Sequence, residues 1–326
     1  MQKFLIIQTA FLGDVILATP ILRELKLIYP NAEIDVLVRK GNEILLSNNP
    51  HVRNVLIWDK NNGKYKNLFR LLRHIRNENY DEVIGIQRYI NSGLLTAFSK
   101  AKTTIGFANN PLSFLFTHKI THQFGNGTHE VERNLSLIQH HTSTFSSLRP
   151  EIYPSNTDYQ AISAYTSVPY YCIAPTSVWF TKQLERSKWV ELIHHLDSSS
   201  PIYLLGAPND AHQCEQLIQA SNSENVINLA GKLSLLESAA LIAQSKRTYV
   251  NDSGPLHIAS AMNAKVSAFF CSTVPSFGFG PLSEDAQVIE THKELSCRPC
   301  GLHGHKACPA KHFECSNTID TTLAHQ

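Results

Sequence analysis

No stretch of this 326-residue chain reaches the run of about 18 apolar residues that a membrane-spanning helix requires. Charge is also scarce and nearly balanced, with 17% charged residues and a formal net charge of +2. A protein that neutralises a nucleic-acid backbone carries a clear basic excess, so no nucleic-acid partner is expected. The first β-rich run is not followed by a GxGxxG fingerprint, which counts against a dehydrogenase. The opening segment, Met1–Gln8, is too short in its apolar part for an export signal and is ended by Gln8. The expected compartment is therefore the reducing cytoplasm, where the seven cysteines serve as thiols or metal ligands rather than disulfides. In that compartment the Asn126 and Asn134 sequons carry no meaning as glycosylation sites.

What the chain does have is apolar mass. Hydrophobic residues make up 43%, enough for large buried cores, and the length suits two domains. In the first half, Phe4–Ile7 is a continuous apolar run, and Leu17, Ile21, Leu25 and Ile28 mark one face of a following helix. Strands are expected at Ile34–Val38, Val55–Trp58 and Val83–Ile86 and in a run ending at Gly106-Phe107, with helices around Leu68–Ile75 and Leu94–Phe98. From Thr142 to Val168 the composition turns to Ser, Thr, Pro and Tyr without periodicity, as in a connection. The alternation then restarts with strands at Tyr171–Ala174, Ile202–Leu205, Val226-Ile227, Tyr249-Val250 and Val266–Phe270. Helices are expected over Ser187–Leu196, Asp210–Ile218 and Leu235–Gln244 and from Gly254. Apolar strands separated by helices imply parallel sheets covered on both faces. The expectation is an α/β chain of two Rossmann-like domains, 1–155 and 156–326, whose parallel sheets face a central cleft. The Cys- and His-rich end from Glu294 reads as irregular.

Several segments could carry chemistry. Thr9–Asp14 follows the first strand; Gly13 permits a tight turn, and Asp14 stands at a helix start as either a cap or a base. Asn251-Asp252-Ser253-Gly254-Pro255-Leu256-His257 opens a helix after a short strand, where backbone amides make a phosphate seat or a well-capped helix without a ligand. Pro175–Lys182 offers hydroxyls and one lysine on a strand-to-helix loop, suited to a diphosphate or simply solvated. Asp210 can bond a ribose hydroxyl or cap its own helix. Cys297, Cys300, Cys308 and Cys315, with His303, His305 and His312 among them, are either a structural zinc site or packed free thiols. Lys60, Lys64, Lys66, Arg70, Arg73 and Arg76 form a basic stretch, either a solvated face or an attractor for an anionic acceptor or membrane.

In order along the chain, Gln8–Pro20 with its LGD…TP pattern, Gly106-Phe107, His129–Asn134, Leu229-Ala230-Gly231-Lys232, NDSGPLHIASA at Asn251–Ala261, Phe277–Leu282 and Cys297-Arg298-Pro299-Cys300 resemble the ADP-heptose:lipopolysaccharide heptosyltransferases of glycosyltransferase family 9. The resemblance runs over nearly the whole chain. It implies the GT-B fold, a donor of ADP-heptose as co-substrate, no required cofactor and an inverting transfer to the inner core of lipopolysaccharide, on lipid A–Kdo or its first heptose. It makes Asp14 the general base, with Gly13, Lys60 and Lys64 on the acceptor side in the first domain. Ser177, Lys182, Asp210, Asp252, Ser253 and Gly254 then hold the donor in the second, with His257 part of the same signature. An anionic, membrane-anchored acceptor also implies peripheral contact with the cytoplasmic face of the inner membrane. Two departures stand out: the chain ends soon after Cys315, leaving little room for a helix crossing back to the first domain, and Gln183-Leu184-Glu185-Arg186 replaces an aromatic and proline after Lys182. The competing readings are a GT-B transferase for another nucleotide sugar and a non-catalytic nucleotide-sugar-binding scaffold.

Overall fold

The computed structural model describes residues 1–325. They form two compact units, one of Met1–Phe124 and Thr128–Tyr153, the other of Gly125–Gly127 and the chain from Pro154 onward.

The first unit runs β1 (Lys3–Ile7), α1 (Leu12–Ile28), β2 (Glu33–Arg39), β3 (Asn54–Trp58), α2 (Lys64–Glu78), β4 (Glu82–Gly85), α3 (Ile90–Ala97), β5 (Thr103–Phe107), β6 (His118–Ile120) and α4 (Glu130–Ser136). Its six strands are all parallel, in the order β3-β2-β1-β4-β5-β6. The second unit runs α5 (Asn156–Ala161), β7 (Tyr171–Ala174), α6 (Arg186–His195), β8 (Ile202–Leu204), α7 (Ala211–Ser221), β9 (Val226–Asn228), α8 (Leu235–Gln244), β10 (Thr248–Asn251), α9 (Gly254–Ala261), β11 (Val266–Phe270), β12 (Ala286–Glu290) and α10 (Glu314–Asn317). It repeats the first topology as β12-β11-β10-β7-β8-β9, again all parallel. Each is a Rossmann-like sheet. In such a sheet the loops after the two central strands diverge, opening a crevice at the carboxyl ends where ligands bind. Those pairs are β1 and β4 in the first sheet and β7 and β10 in the second.

Strands inside the two sheets are buried on both faces: Phe4 to Ile7 in β1 and Val266 to Phe270 in β11 are all within 1% of full burial. Their unbroken apolar runs are the sequence signature of that position. The edge strands β6 and β12 were absent from the sequence reading because their residues, His-Lys-Ile and Ala-Gln-Val-Ile-Glu, mix polar and apolar without a run. α5 also lies inside the stretch read as connection. It is specified by a capping box rather than by periodicity: Ser155 Oγ accepts from Asp158 N while Asp158 Oδ2 accepts from Ser155 N. The chain's end, read as irregular, supplies Ile319 and Ala324, both fully buried, to the second unit's own core.

Inside α1, Pro20 has no N–H to donate to Ile16 four residues back. The Thr19 hydroxyl donates to that carbonyl instead, at 2.8 Å, and Thr19 Oγ1 also accepts from Glu151 N at 2.9 Å. Thr19-Pro20 thus lets the helix continue unbroken and fastens the segment before α5 to it.

At the opposite, amino end of the first sheet, Asp35 is 1% exposed and is held by Arg53 Nε at 2.9 Å, Arg53 Nη2 at 2.5 Å and Tyr80 Oη at 2.5 Å. Burial pushes its carboxyl up, but the hydrogen bonds from Arg53 and Tyr80 and the Arg53 charge outweigh it and hold the group below the usual aspartate range. A depressed carboxyl contributes stability above its unfolded value and loses it as pH falls through the folded one. Arg53→Ala should therefore destabilise the first unit by about 3 kcal/mol in denaturant titrations near neutrality. The deficit should shrink as pH is lowered below about 4, where the wild type loses the same contribution.

Candidate functional site

In the first unit, the loop leaving β1 is pinned from three sides. Thr9 N and Thr9 Oγ1 both donate to Gln87 Oε1, at 3.2 and 2.5 Å, which ties it to the loop after β4 at the sheet's switch point. Lys60, following β3, donates to Thr9 O at 2.9 Å, and Asn42 Nδ2 donates to Ala10 O at 3.0 Å. The Lys60 ammonium also stands 4.6 Å over the Trp58 ring. Burial, then the positive charges of Arg39 and Lys64, hold its pKa below the ordinary lysine value. Phe11 at the head of the loop is 60% exposed, with the Arg39 guanidinium 4.8 Å over its ring.

This frame presents Gly13 and Asp14 in the first turn of α1, both half-buried. Asp14 Oδ2 accepts from Phe11 N at 3.1 Å, so the carboxylate is anchored at the helix start, where the macrodipole favours its charged form. The capping role that the sequence allowed Asp14 is therefore filled, and the same contact fixes the direction of its carboxylate. Glu130, at the start of α4, pairs with Arg133 at 2.7 Å and has a side chain 12% exposed. Its pKa is raised, first by burial and also by the charge of Asp14, while Arg133 opposes the rise. A second carboxyl in Asp14's field was visible to sequence reading only as part of the His129–Asn134 landmark. Lys64 is not drawn into this frame: it starts α2 on the exposed side, 5.5 Å over the Tyr65 ring.

In the second unit the centre is the junction of β10 and α9. Asn251 is fully buried; its Oδ1 accepts from Leu184 N at 2.8 Å and its Nδ2 donates to Pro175 O at 2.9 Å. One side chain therefore fixes both ends of the Pro175–Leu184 loop that follows β7. That loop then delivers Lys182, whose Nζ lies 2.6 Å from Asp252 Oδ2, with both side chains largely buried. Thr273 Oγ1 donates to the same Asp252 oxygen at 2.6 Å, a contact that sequence gave no sign of, because Thr273 follows β11. Ser253 is the extended N-cap of α9 but makes no side-chain capping bond, and Pro255 sits in the first turn. Helix amides oriented outward beside a lysine are a seat for an anion. Ser253 and Gly254 stand at that helix start, and His257 lies one turn into α9, buried, with its ring 6.3 Å from that of Phe279.

Ser177 is half-buried on the same loop, its carbonyl accepting from Gln183 Nε2 at 2.7 Å. Asp210 stands apart, after β8. Its Oδ2 accepts from Ala207 N at 2.7 Å across the preceding turn Pro208–Asp210, and it makes no side-chain capping bond to α7, the helix it was expected to cap. The neighbouring Gly231 has φ +75°, and a Cβ there would come 2.7 Å from Pro208 Cα, so glycine is required for the two loops to meet.

The cysteine-rich tail reaches this centre as well. His305 N donates to Thr181 Oγ1 at 2.7 Å, Thr181 N donates to His305 O at 3.1 Å, and Cys300 N donates to Ser272 O at 2.7 Å. Arg298 donates to the carbonyls of Cys271 and Thr273 at 2.6 and 2.8 Å. Gly304, at φ +76°, lies so close that a Cβ would meet Thr181 Oγ1 at 2.8 Å. The tail thus braces both the lysine loop and the Thr273 loop. Cys297, Cys300, Cys308, Cys315 and His312 line one small cavity, with Cys297 Sγ 3.8 Å from His312 Nε2. Burial and the neighbouring thiols push Cys315 up to about 11 and raise Cys300 as well. Among the described residues, however, no three of these sulfur and imidazole atoms lie within 4.8 Å of one another, so the cavity does not gather the cysteines as metal ligands.

Comparison with known proteins bears on the family and the fold. The family model described as glycosyltransferase family 9 (heptosyltransferase) matches residues 68–311. Lipopolysaccharide heptosyltransferase 3 of Escherichia coli is 28% identical over 285 residues, covering 81% of this chain and 82% of that protein. The structure of E. coli ADP-heptose LPS heptosyltransferase II superimposes with a TM-score of 0.78 at 22% identity, over 99% of each chain. E. coli heptosyltransferase WaaC with ADP gives 0.72 at 21% identity, over 88% of this chain and 92% of that one. Two parallel Rossmann-like sheets, each with a polar cluster at its switch point, and a family model spanning most of the chain lead to one conclusion: this protein is a glycosyltransferase of the GT-B fold and belongs to glycosyltransferase family 9.

Proposed function

We propose that this enzyme transfers heptose from ADP-heptose to a hydroxyl of the inner core of lipopolysaccharide, on lipid A–Kdo or its first heptose, with inversion at the anomeric carbon. The observation that carries the reading is the Lys182–Asp252 pair at the start of α9, a cation held beside a helix N-terminus in a family whose relatives are heptosyltransferases. In this reading residues 1–155 take the acceptor and 156–326 the donor.

The chemistry follows from the two polar clusters. Asp14 takes the proton from the acceptor hydroxyl as that oxygen bonds to the anomeric carbon. The bond from that carbon to the β-phosphate oxygen breaks, and ADP leaves with the electron pair. Lys182 and the amides at the start of α9 stabilise the charge that builds on the leaving diphosphate. Asp252 and Thr273 keep the ammonium at that seat, and the Asp252 carboxylate balances it before the donor arrives. Ser177, Ser253 and Gly254 line the approach of the diphosphate, with His257 supporting α9 from within. Asp210 meets the ribose only by giving up its cap to Ala207. Gly13 lets the acceptor come close to Asp14, and Lys60 and Lys64 attract its anionic groups.

Membrane contact fits α2. Its Leu68, Leu71, Leu72 and Ile75 are committed to the core, while Tyr65 and Phe69, 65% and 63% exposed, stand among Lys64, Lys66, Arg70 and Arg73. Aromatic rings among cations suit the headgroup layer of an anionic bilayer such as the cytoplasmic face of the inner membrane. The Cys297, Cys300, Cys308 and Cys315 set, not gathered as metal ligands, is read as packed thiols that brace the tail and take no part in transfer.

Two substitutions separate base from donor seat. Asp14→Asn keeps an acceptor for Phe11 N, so stability and ADP affinity should be unchanged while kcat falls about 10³-fold; retained turnover would remove Asp14 as base. Lys182→Ala should weaken ADP binding by about 10–100-fold in calorimetry, the loss of one charged hydrogen-bond donor. Unchanged ADP affinity would favour a different donor or the scaffold reading. Replacing Tyr65 and Phe69 by Ser together should abolish co-sedimentation with vesicles containing phosphatidylglycerol, leaving transfer to a short soluble acceptor intact.

A further inference from the structure

Away from both polar clusters, at the amino end of the first sheet, one carboxylate and two imidazoles converge. Glu82 opens β4 and its side chain is 7% exposed. His140 Nε2 lies 3.3 Å from Glu82 Oε2, and His141 Nε2 lies 3.2 Å from Oε2 and 3.3 Å from Oε1. Among the described residues, this is the group of three whose ligand atoms all gather within 4.8 Å of one another. It lies at the end of β4 opposite to Gln87, and nothing in the proposed transfer uses it.

We propose that Glu82, His140 and His141 form a binding site for a zinc-class divalent ion, completed by water. The spacing supports a shared ion over plain hydrogen bonds. Charged imidazole–carboxylate bonds contract to about 2.7–2.9 Å, shorter than any contact here. Ligands at about 2.0–2.2 Å from a tetrahedral zinc stand about 3.3–3.4 Å from one another, close to the separations of Glu82 Oε2 from His140 Nε2 and from His141 Nε2, and all three ligand atoms lie within 4.8 Å of one another. Two imidazole nitrogens and one carboxylate oxygen are also a donor set that zinc accepts.

The surroundings fix the ligands as a metal site needs. Tyr29 Oη lies 3.0 Å from His141 Nδ1. An Nδ1–H donated to that hydroxyl leaves the Nε2 lone pair facing Glu82, the outer support that metal-bound histidines usually have. The His141 ring is wedged edge-on between Phe4 and Tyr29, at 5.8 and 5.4 Å. His140 is 39% exposed and stacks parallel to His118 at 6.1 Å, so the ion is reachable from solvent on that side. The bound ion clips the turn that follows α4, including His140 and His141, to the start of β4.

The test is equilibrium dialysis of the tag-free, full-length protein against low micromolar zinc, followed by metal analysis. Because the exposed thiols of the tail can also take up zinc, every measurement is repeated in a Cys297→Ser/Cys300→Ser background. His140→Ala and, separately, Glu82→Gln should each lose one equivalent of zinc relative to their parent in both backgrounds. In the cysteine background, cobalt in place of zinc should give visible d–d bands without thiolate charge-transfer absorption, and both should vanish with His140→Ala. His140 is exposed, so this variant should fold and transfer sugar as the parent does. Equal zinc content in His140→Ala and its parent, or no zinc in the cysteine background, would overturn the site without touching the transferase reading.

Discussion

The second unit hangs on the side chain of Asn251. It is the last residue of β10, fully buried, and its amide spends both its donor and its acceptor on a loop more than sixty residues earlier in the chain. A buried amide left without partners would cost about 1–3 kcal/mol, so the loop after β7 has little freedom to take another course. With both ends of that loop fixed, Lys182 arrives beside Asp252, the very next residue after Asn251. The tail then closes on the fixed loop through His305 and Thr181, while Arg298 holds the segment after β11 that carries Thr273. The place of the cation beside the helix start thus depends on that one amide.

The first unit solves the same problem with the same chemistry. There Gln87, just past β4, accepts from both Thr9 N and Thr9 Oγ1 and so ties the loop after β1 to the other side of the switch point. In both sheets an amide side chain from the fourth strand of the unit restrains the loop after its first. What each restrained loop carries differs: a carboxylate anchored at a helix start in the first unit, an ammonium at a helix start in the second. That asymmetry suits a reaction in which one reactant loses a proton and the other departs as an anion.

Much of this was legible in the residues, for identifiable reasons. The doubly buried strands announced themselves as apolar runs, and helix starts showed as Gly13-Asp14 and Ser253-Gly254-Pro255. The edge strands β6 and β12 did not, because an edge need not be apolar on both faces. Asp252 and Lys182 were each visible as candidates, but their pairing was not, since seventy residues separate them and only the fold closes the gap. Thr273, Gln87 and Arg298 were missed as site residues because their partners are loops and backbone carbonyls, which leave no local pattern. The cysteine spacing suggested a metal, yet its contact with Thr181 depends on His305 and Gly304, residues that spacing rules ignore.

The central claim is that the β10–α9 junction and the Lys182 loop seat an adenosine diphosphate. Its most direct test is the thermal stability of the wild-type protein with ADP, UDP and GDP at matched concentrations, since a ligand bound only by the folded state must raise Tm. The account predicts a concentration-dependent rise with ADP that UDP and GDP do not match. An equal or larger rise with UDP or GDP, or no rise with any of the three, would contradict it.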